Sequence, residues 1–486
     1  MTSDELTELA AIEQELQAEA EIRAHTSARR ARLELLVVGS GGLAVSLSQT
    51  LLVPVLAILP GELDTTPANV EWLLTSTLLV AAVSVPLLGR LGDMFGKRRM
   101  LLFSLGCLVV GSLLTAVTSN VALLIVGRGI QGVSIAAIPL GISLLSSLLP
   151  KDRVGSAIAV ISAMLGVGGA LGLPIAGVVG EHYDFHVLFW ITAVTGAAAF
   201  LGTLAIVPES PVRTGGKVDV IGAVLLSATL VTLLLPLAES AKWGWGDPRT
   251  LGLLALSAVL LGVFGWSQTR IREPLVDLVA LRRRPIVLTN VASVLFGFAL
   301  FASMIGTAGY LQAPEGTGYG FGTSIVFSGI CMLPGGLAML FLSNTTARII
   351  RTIGAAQTLT LGAAILALGW AMRVVLTSDL WLIVVGTTVV SIGAAIGYAA
   401  MPSLINEHSA PSEIAAANGL NALARSLGTS VASAVGGSIL AANTVTYAGY
   451  DFPSLGGYRL LFAMCVVMSV AAAVLAAMIT RERAPA

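Results

Sequence analysis

Charge is what this sequence has least of. Asp, Glu, Lys and Arg together make up 11% of its 486 residues, against about 25% in soluble domains. Basic and acidic side chains number 27 each and cancel. That balance excludes an acidic or basic nucleic-acid binder, and any charge signal must lie in distribution. Cysteine is nearly absent: Cys107, Cys331 and Cys465 lie far apart inside apolar runs. Neither a disulfide framework nor a metal site follows from such spacing. The four histidines, His25, His182, His186 and His408, are scattered without ligand spacing. The chain has no nucleotide-binding loop, no Gly-x-Ser-x-Gly and no embedded acid pair. No catalytic residue, cofactor or metal is therefore expected, and ATP-driven pumping by this chain alone is excluded.

What the chain has in abundance is apolar length. Hydrophobic residues make up 56% of it, and the mean hydropathy is +0.90. One soluble core cannot bury that much, so a water-soluble globule, a coiled coil and a disordered chain are all excluded. A helix needs about 20 mostly apolar residues to cross a bilayer. That window fits fourteen times, near 33–58, 70–89, 100–118, 120–148, 155–179, 187–207, 218–238, 250–267, 286–311, 322–342, 355–375, 379–401, 413–441 and 459–480. The stretch 413–441 is the least apolar, because it carries Asn418, Asn421 and Arg425. The fold class is an all-α polytopic membrane protein.

Fourteen spans place both ends of the chain on one side. If that side is cytoplasmic, it holds 21 Lys and Arg and the other side holds four, namely Lys242, Arg249, Arg373 and Arg459. Arg128 and Arg425 fall inside spans. Such asymmetry is the positive-inside signature. It sets the expectation of an inner (plasma) membrane protein with both termini cytoplasmic. Residues 1–32, acidic and then basic, read as a charged cytoplasmic helical tail; a full-length first span makes a cleaved signal peptide the wrong reading.

Two stretches repeat about 260 residues apart. Ala122 to Gly127 (ALLIVG) resembles Leu382 to Gly386 (LIVVG), each helix later meets a proline (Pro150, Pro402), and Gly166 aligns with Gly428. The expected organisation is a six-helix N-terminal bundle over 33–207, two inserted helices with linkers over 208–285, a pseudo-symmetric six-helix bundle over 286–480, and a cytoplasmic tail at 481–486. Such halves mark many secondary transporters, with the substrate site between them near the midplane.

The loop between spans 2 and 3 carries the sharpest motif: Gly89, Leu91, Asp93, Gly96, Lys97, Arg98 and Leu101 at fixed spacing. Glycines suit a tight turn, a carboxylate suits a helix N-terminus, and the basic run suits the inner surface. This loop resembles the signature G-x-L-a-D-r-x-G-r-[KR]-x-x-L of the major facilitator superfamily. Leu124, Arg128, Gln131, Gly132 and Ala136 in span 4 match a second pattern of that family. Gly168, Gly172, Pro174 and Gly177 in span 5 resemble the helix-bending antiporter motif of exporters, with Leu173 parting the usual Gly-Pro pair. Fourteen spans, this motif and Tyr310-Leu311-Gln312 resemble the fourteen-helix drug:proton antiporters. The resemblance covers residues 33–480. It implies export of amphiphilic small molecules driven by proton influx, a coupling ion of H+, and a gating role for Asp93 against the start of span 13 near Glu413 to Ala417.

One departure bears on mechanism. Where that family carries an Asp in span 1, this chain reads Leu47-Ser48-Gln49-Thr50. Asp219, Glu239, Glu71 and Asp379 all lie at or near span ends, so no midplane carboxylate remains to carry a proton. Arg128 lies about 12 Å and Arg425 about 18 Å along their spans, at 1.5 Å per residue. Two readings are open for each: it ties backbone carbonyls and Gln or Asn groups together, or it faces a cavity that favours anionic ligands. Gln49, Thr50, Arg128, Gln131, Asn290, Asn421 and Arg425 are the candidate coupling and cavity residues. The expected partners are a small-molecule substrate, the coupling ion and the lipid bilayer, with no nucleic acid, for a chain acting as a monomer. Drug or metabolite export, facilitative uptake on the same scaffold, and a non-transporting sensor are the functions left in play.

Overall fold

The computed structural model describes residues 28–480 except 58, 212–218, 272–282, 411–412 and 449. The tail through residue 27, residues 212–218 and 272–282 of the linkers flanking the inserted spans, the side chain of Glu71 and the tail after 480 lie outside the described residues.

Fourteen long helices run through the described chain. They are α1 (Ala28–Thr50), α2 (Pro67–Phe95), α3 (Lys97–Ala116), α4 (Val121–Leu148, with one 3-10 turn at Ser134–Ala136), α5 (Lys151–His182), α6 (His186–Ile206) and α7 (Val220–Trp243). Then follow α8 (Pro248–Gln268), α9 (Arg284–Gln312), α10 (Ile325–Ile353), α11 (Ala355–Val375), α12 (Leu380–His408), α13 (Ile414–Ala442) and α14 (Leu455–Thr480). Thirteen are long and apolar enough to cross a membrane. The exception is α13, whose 29 residues suffice in length; Asn418, Asn421 and Arg425 are what dilute it. A hairpin of β1 (Thr444–Tyr447) and β2 (Tyr450–Pro453) joins α13 to α14.

Local chemistry sets the helix ends. Thr66, Asn120, Asp247 and Ser324 cap α2, α4, α8 and α10 by accepting a backbone N–H of the first turn, which satisfies donors a helix cannot satisfy itself. Gly96 (φ 122°) and Gly354 (φ 85°) break the chain between α2 and α3 and between α10 and α11, a region open to glycine. The first helix is shorter than expected. It stops at Thr50, and a 3-10 turn at Val53–Ala57 follows, because Pro54 cannot donate to the helix ladder.

Two halves with matching pairings emerge. Helix α1 packs on α5 and α6, as α9 packs on α13 and α14; α3 packs on α4 and α6, as α11 packs on α12 and α14. Across the seam α5 lies along α10, and α2 along α13. Gly168 seats α5 on the Leu43 carbonyl of α1, and Gly428 seats α13 on the Val294 carbonyl of α9. Among these helices, α7 packs outside the seam on α2 and α13, and α8 packs on α7. Leu251, Val259, Leu261 and Trp266 on α8 stay exposed, as a lipid-facing helix requires.

Candidate functional site

Two constructions lie on the seam: a clamp at the end where α2 meets α13, and a cavity farther in. The clamp begins with Gly96, whose backbone turns the chain so that Asp93 and Lys97 face each other. Asp93 is fully buried. Its carboxylate accepts the backbone N–H of Ala415 at 3.3 Å and of Ala416 at 2.9 Å, in the first turn of α13. Lys97 Nζ stands 3.5 Å away. The free N–H groups and the positive end of the helix dipole attract the carboxylate, and Lys97 balances the charge. A Cβ on Gly89 would meet the Ala415 carbonyl oxygen at 2.9 Å, so only glycine lets α2 approach that closely. Leu91 packs into the core of the N-terminal half.

Glu209 is a clamp residue that the sequence reading missed. Its carboxylate accepts the backbone N–H of Arg98 at 2.9 Å and of Arg99 at 3.3 Å, capping α3. The Arg98 side chain donates to the Leu204 carbonyl at 2.7 Å. A Cβ on Gly96 would run into the Glu209 carboxylate at 2.6 Å, a second reason for glycine there. The only sequence signal was an acid between two prolines, far from the basic run it caps. On the same face, Asn406 of α12 donates to Ser146 of α4 at 2.9 Å, tying the halves again.

The cavity has a volume of about 290 Å³ and draws its wall from α1, α4, α5, α9, α10, α12 and α13. Phe301, Met332 and Met339 make it apolar, and Thr50, Ser391 and Thr429 give it hydroxyls. Arg425 is the one charged side chain among the described lining residues. Its guanidinium carbon lies 4.9 Å from the centre of the Tyr398 ring, a cation–π arrangement.

Of the seven expected cavity residues, then, the structure brings Thr50 and Arg425 to the wall. Gln49, Arg128, Gln131, Asn290 and Asn421 are not on it, and that expectation is corrected. Arg128, at 1% exposure, donates to the Leu73 carbonyl at 3.2 Å, the Ser48 carbonyl at 3.0 Å and Gln131 Oε1 at 2.7 Å. Gln131 passes the chain on to Ser112 at 2.8 Å. Arg128 therefore ties α1 and α2 to α4 through backbone oxygen, the first of its two open readings. Asn421 donates to Asn290 at 3.0 Å and Ser293 at 2.6 Å, pinning α13 to α9. Arg373, expected at the outer surface, is 2% exposed and stacks 4.8 Å from Phe462 and 5.6 Å from Tyr310. Rings of α9 and α14 shelter a guanidinium that the charge count places on the outer side.

The span 5 motif acts as a run of seats. Gly168 and Gly172 lie on α1, against Leu43, Ser46 and Thr50. Gly177 meets Val326, and Pro174 fits the surface of Gly329, both on α10. Helix α5 runs unbroken through Pro174. The motif thus lines up one helix against both halves, and in membranes such small-residue contacts carry helix association.

Comparison with known proteins agrees with this geometry. The family model described as Major Facilitator Superfamily matches residues 38–433 and 337–486. The tetracenomycin C resistance and export protein of Streptomyces glaucescens is 30% identical over 417 residues, covering 84% of this chain and 75% of that protein. The multidrug resistance protein Stp of Mycobacterium tuberculosis is 25% identical, over 77% of this chain and 69% of its own length. The lincomycin resistance protein LmrB of Listeria monocytogenes is 26% identical, over 79% and 82%. Among solved structures, the human organic anion transporter MFSD10 superposes with a TM-score of 0.65 over 93% of this chain and 100% of that one. At 17% identity it shares the fold alone.

Proposed function

Because the chain belongs to the major facilitator superfamily, and so is a multi-pass membrane transporter rather than an enzyme, we propose that it exports small amphiphilic compounds by alternating access. It works as a monomer in the plasma membrane with both termini in the cytoplasm. Proton influx drives it, and the Asp93 clamp closes its cytoplasmic side. Three relatives named for resistance or export support the direction of transport. The 21-to-4 partition of basic residues supports the orientation.

The observation that carries the substrate chemistry is Arg425, alone in its charge among the described lining residues. A guanidinium in a low-dielectric wall attracts negative charge, and cavities focus such fields. Phe301, Met332 and Met339 supply an adaptable apolar surface. The compounds carried are therefore amphiphiles that are anionic or neutral rather than lipophilic cations.

Flux in proteoliposomes tests each part. An amphiphilic carboxylic acid and a cationic dye are offered with and without an imposed pH gradient, to the wild type and to Arg425→Gln. The acid should move faster, follow the gradient and be slowed in the variant. Gradient-independent flux removes proton coupling. A dye carried well, an acid ignored and an indifferent Arg425→Gln remove the electropositive cavity. No flux of either compound removes the export reading.

A further inference from the structure

The two clamps that pseudo-symmetry calls for are not alike. Asp93 lies three residues before the positive-φ Gly96, and Arg351 lies three residues before the positive-φ Gly354. Asp93 meets the first turn of α13; its counterpart stands beside the first turn of α5, where Arg153 lies. One helix start therefore has a carboxylate, and the other has two guanidiniums.

Where α1, α5 and α10 meet opens a second cavity, of about 460 Å³, on the face assigned above to the cytoplasm. Arg32 of α1, Arg153 of α5, and Arg348 and Arg351 of α10 line it, with no acid among its described lining residues. None of the four has an ion-pair partner among the described residues. Like charges from both halves repel across the seam unless an anion lies between them. Guanidinium forks match phosphate oxygens two at a time. The site also borders lipid: Leu35 lines it, while Leu33 and Leu36 of the same helix turns are 42% and 54% exposed, and Ile353 at the end of α10 is 41% exposed.

We propose that this arginine cradle holds the phosphate of an anionic phospholipid, which supplies from the bilayer the negative charge that Asp93 supplies in the other clamp. Its acyl chains lie along Leu33 and Leu36. The proposal does not depend on what compound the transporter carries.

The test is lipid retention by native mass spectrometry of full-length protein, titrated separately with phosphatidylglycerol, phosphatidylcholine and inorganic phosphate. Phosphatidylglycerol should be retained over phosphatidylcholine. Arg348→Gln/Arg351→Gln should weaken that retention about thirtyfold, from a factor of about five per arginine, and Arg32→Gln/Arg153→Gln, from the opposite wall, should do the same. Arg270→Gln, just past the end of α8, should leave it unchanged, and inorganic phosphate should not displace the lipid. Equal retention of both lipids overturns the proposal, as does equal loss in Arg270→Gln, which would mark general surface attraction. Displacement by inorganic phosphate also overturns it, in favour of a free-phosphate site.

Discussion

Asp93→Asn is the perturbation that isolates the clamp. Asn keeps the shape of the side chain and one acceptor oxygen, and it removes the charge. The wild-type carboxylate accepts two backbone N–H groups of α13 and faces Lys97. A partly buried carboxylate at a helix N-terminus contributes up to ~2 kcal/mol. A hydrogen bond to a charged group exceeds a neutral one by about 1 kcal/mol. Together the closed arrangement loses about 2–3 kcal/mol, which lowers its population relative to the open one about thirty- to hundred-and-fifty-fold. If each turnover must pass through that closure, efflux slows by a comparable factor once the closed state becomes the scarce one.

The substitution has a second effect that must be separated from the first. Lys97 is fully buried, and Asn leaves it without its counter-charge, which destabilises the protein itself. Asp93→Asn/Lys97→Met removes both charges. Its thermal midpoint in detergent should recover toward wild type while efflux stays slow. Initial efflux rates and spin-label distances between the ends of α2 and α13 are the measurements. A wild-type rate in Asp93→Asn, with the α2–α13 distance distribution unchanged, would refute the reasoning.

Three further outcomes are expected. Gly428→Ala drives a methyl group into the Val294 carbonyl of α9, and overpacking of about 1–3 kcal/mol should lower the thermal midpoint; an unchanged midpoint would sink the close approach of α9 and α13. Arg373→Lys should lower the midpoint more than Arg373→Met, since ring stacking needs the planar guanidinium and Met at least removes the buried charge; the reverse order would deny the stacking. Outside the membrane, the His186 backbone N–H holds the Asp184 carboxyl below its ordinary range. The native value is the lower one, so that contribution is present above the unfolded value, near 4, and is lost as pH falls through the native one. Wild type and Asp184→Asn should therefore differ slightly in midpoint at neutral pH and converge in acid.

The architecture was legible because the bilayer imposes it. Spans need length and low charge, and loops sort by sign, so span number, halves and the placing of α7 and α8 outside the seam can be read without a structure. The clamp loop was legible because its chemistry is local: Gly89, Asp93, Gly96 and Lys97 lie within one short stretch around the chain reversal. Glu209 was not, because it reaches Arg98 from the far end of α6. Pro54 marked an early end for α1 that an apolar window passes over.

The arginines show where such reading stops. Arg128 and Arg425 sit at similar depth, and each has an amide one turn away on its own helix, Gln131 after Arg128 and Asn421 before Arg425, so the local pattern of the two is alike. Hydropathy assigns both the same cost. The structure separates them by what lies one helix away: carbonyls of Leu73 and Ser48 around Arg128, a cavity and one tyrosine ring beside Arg425. Arg373 fails differently, because two aromatic rings from α9 and α14 make its burial tolerable and neither is near it in sequence. Helix rotation is thus the missing quantity, and it is set by seats such as Gly168 and Gly428, whose partners Leu43 and Val294 lie on other helices. Gly168 and Gly428 each admit a close neighbour; only the fold says which neighbour, and with it which arginine is left facing the cavity.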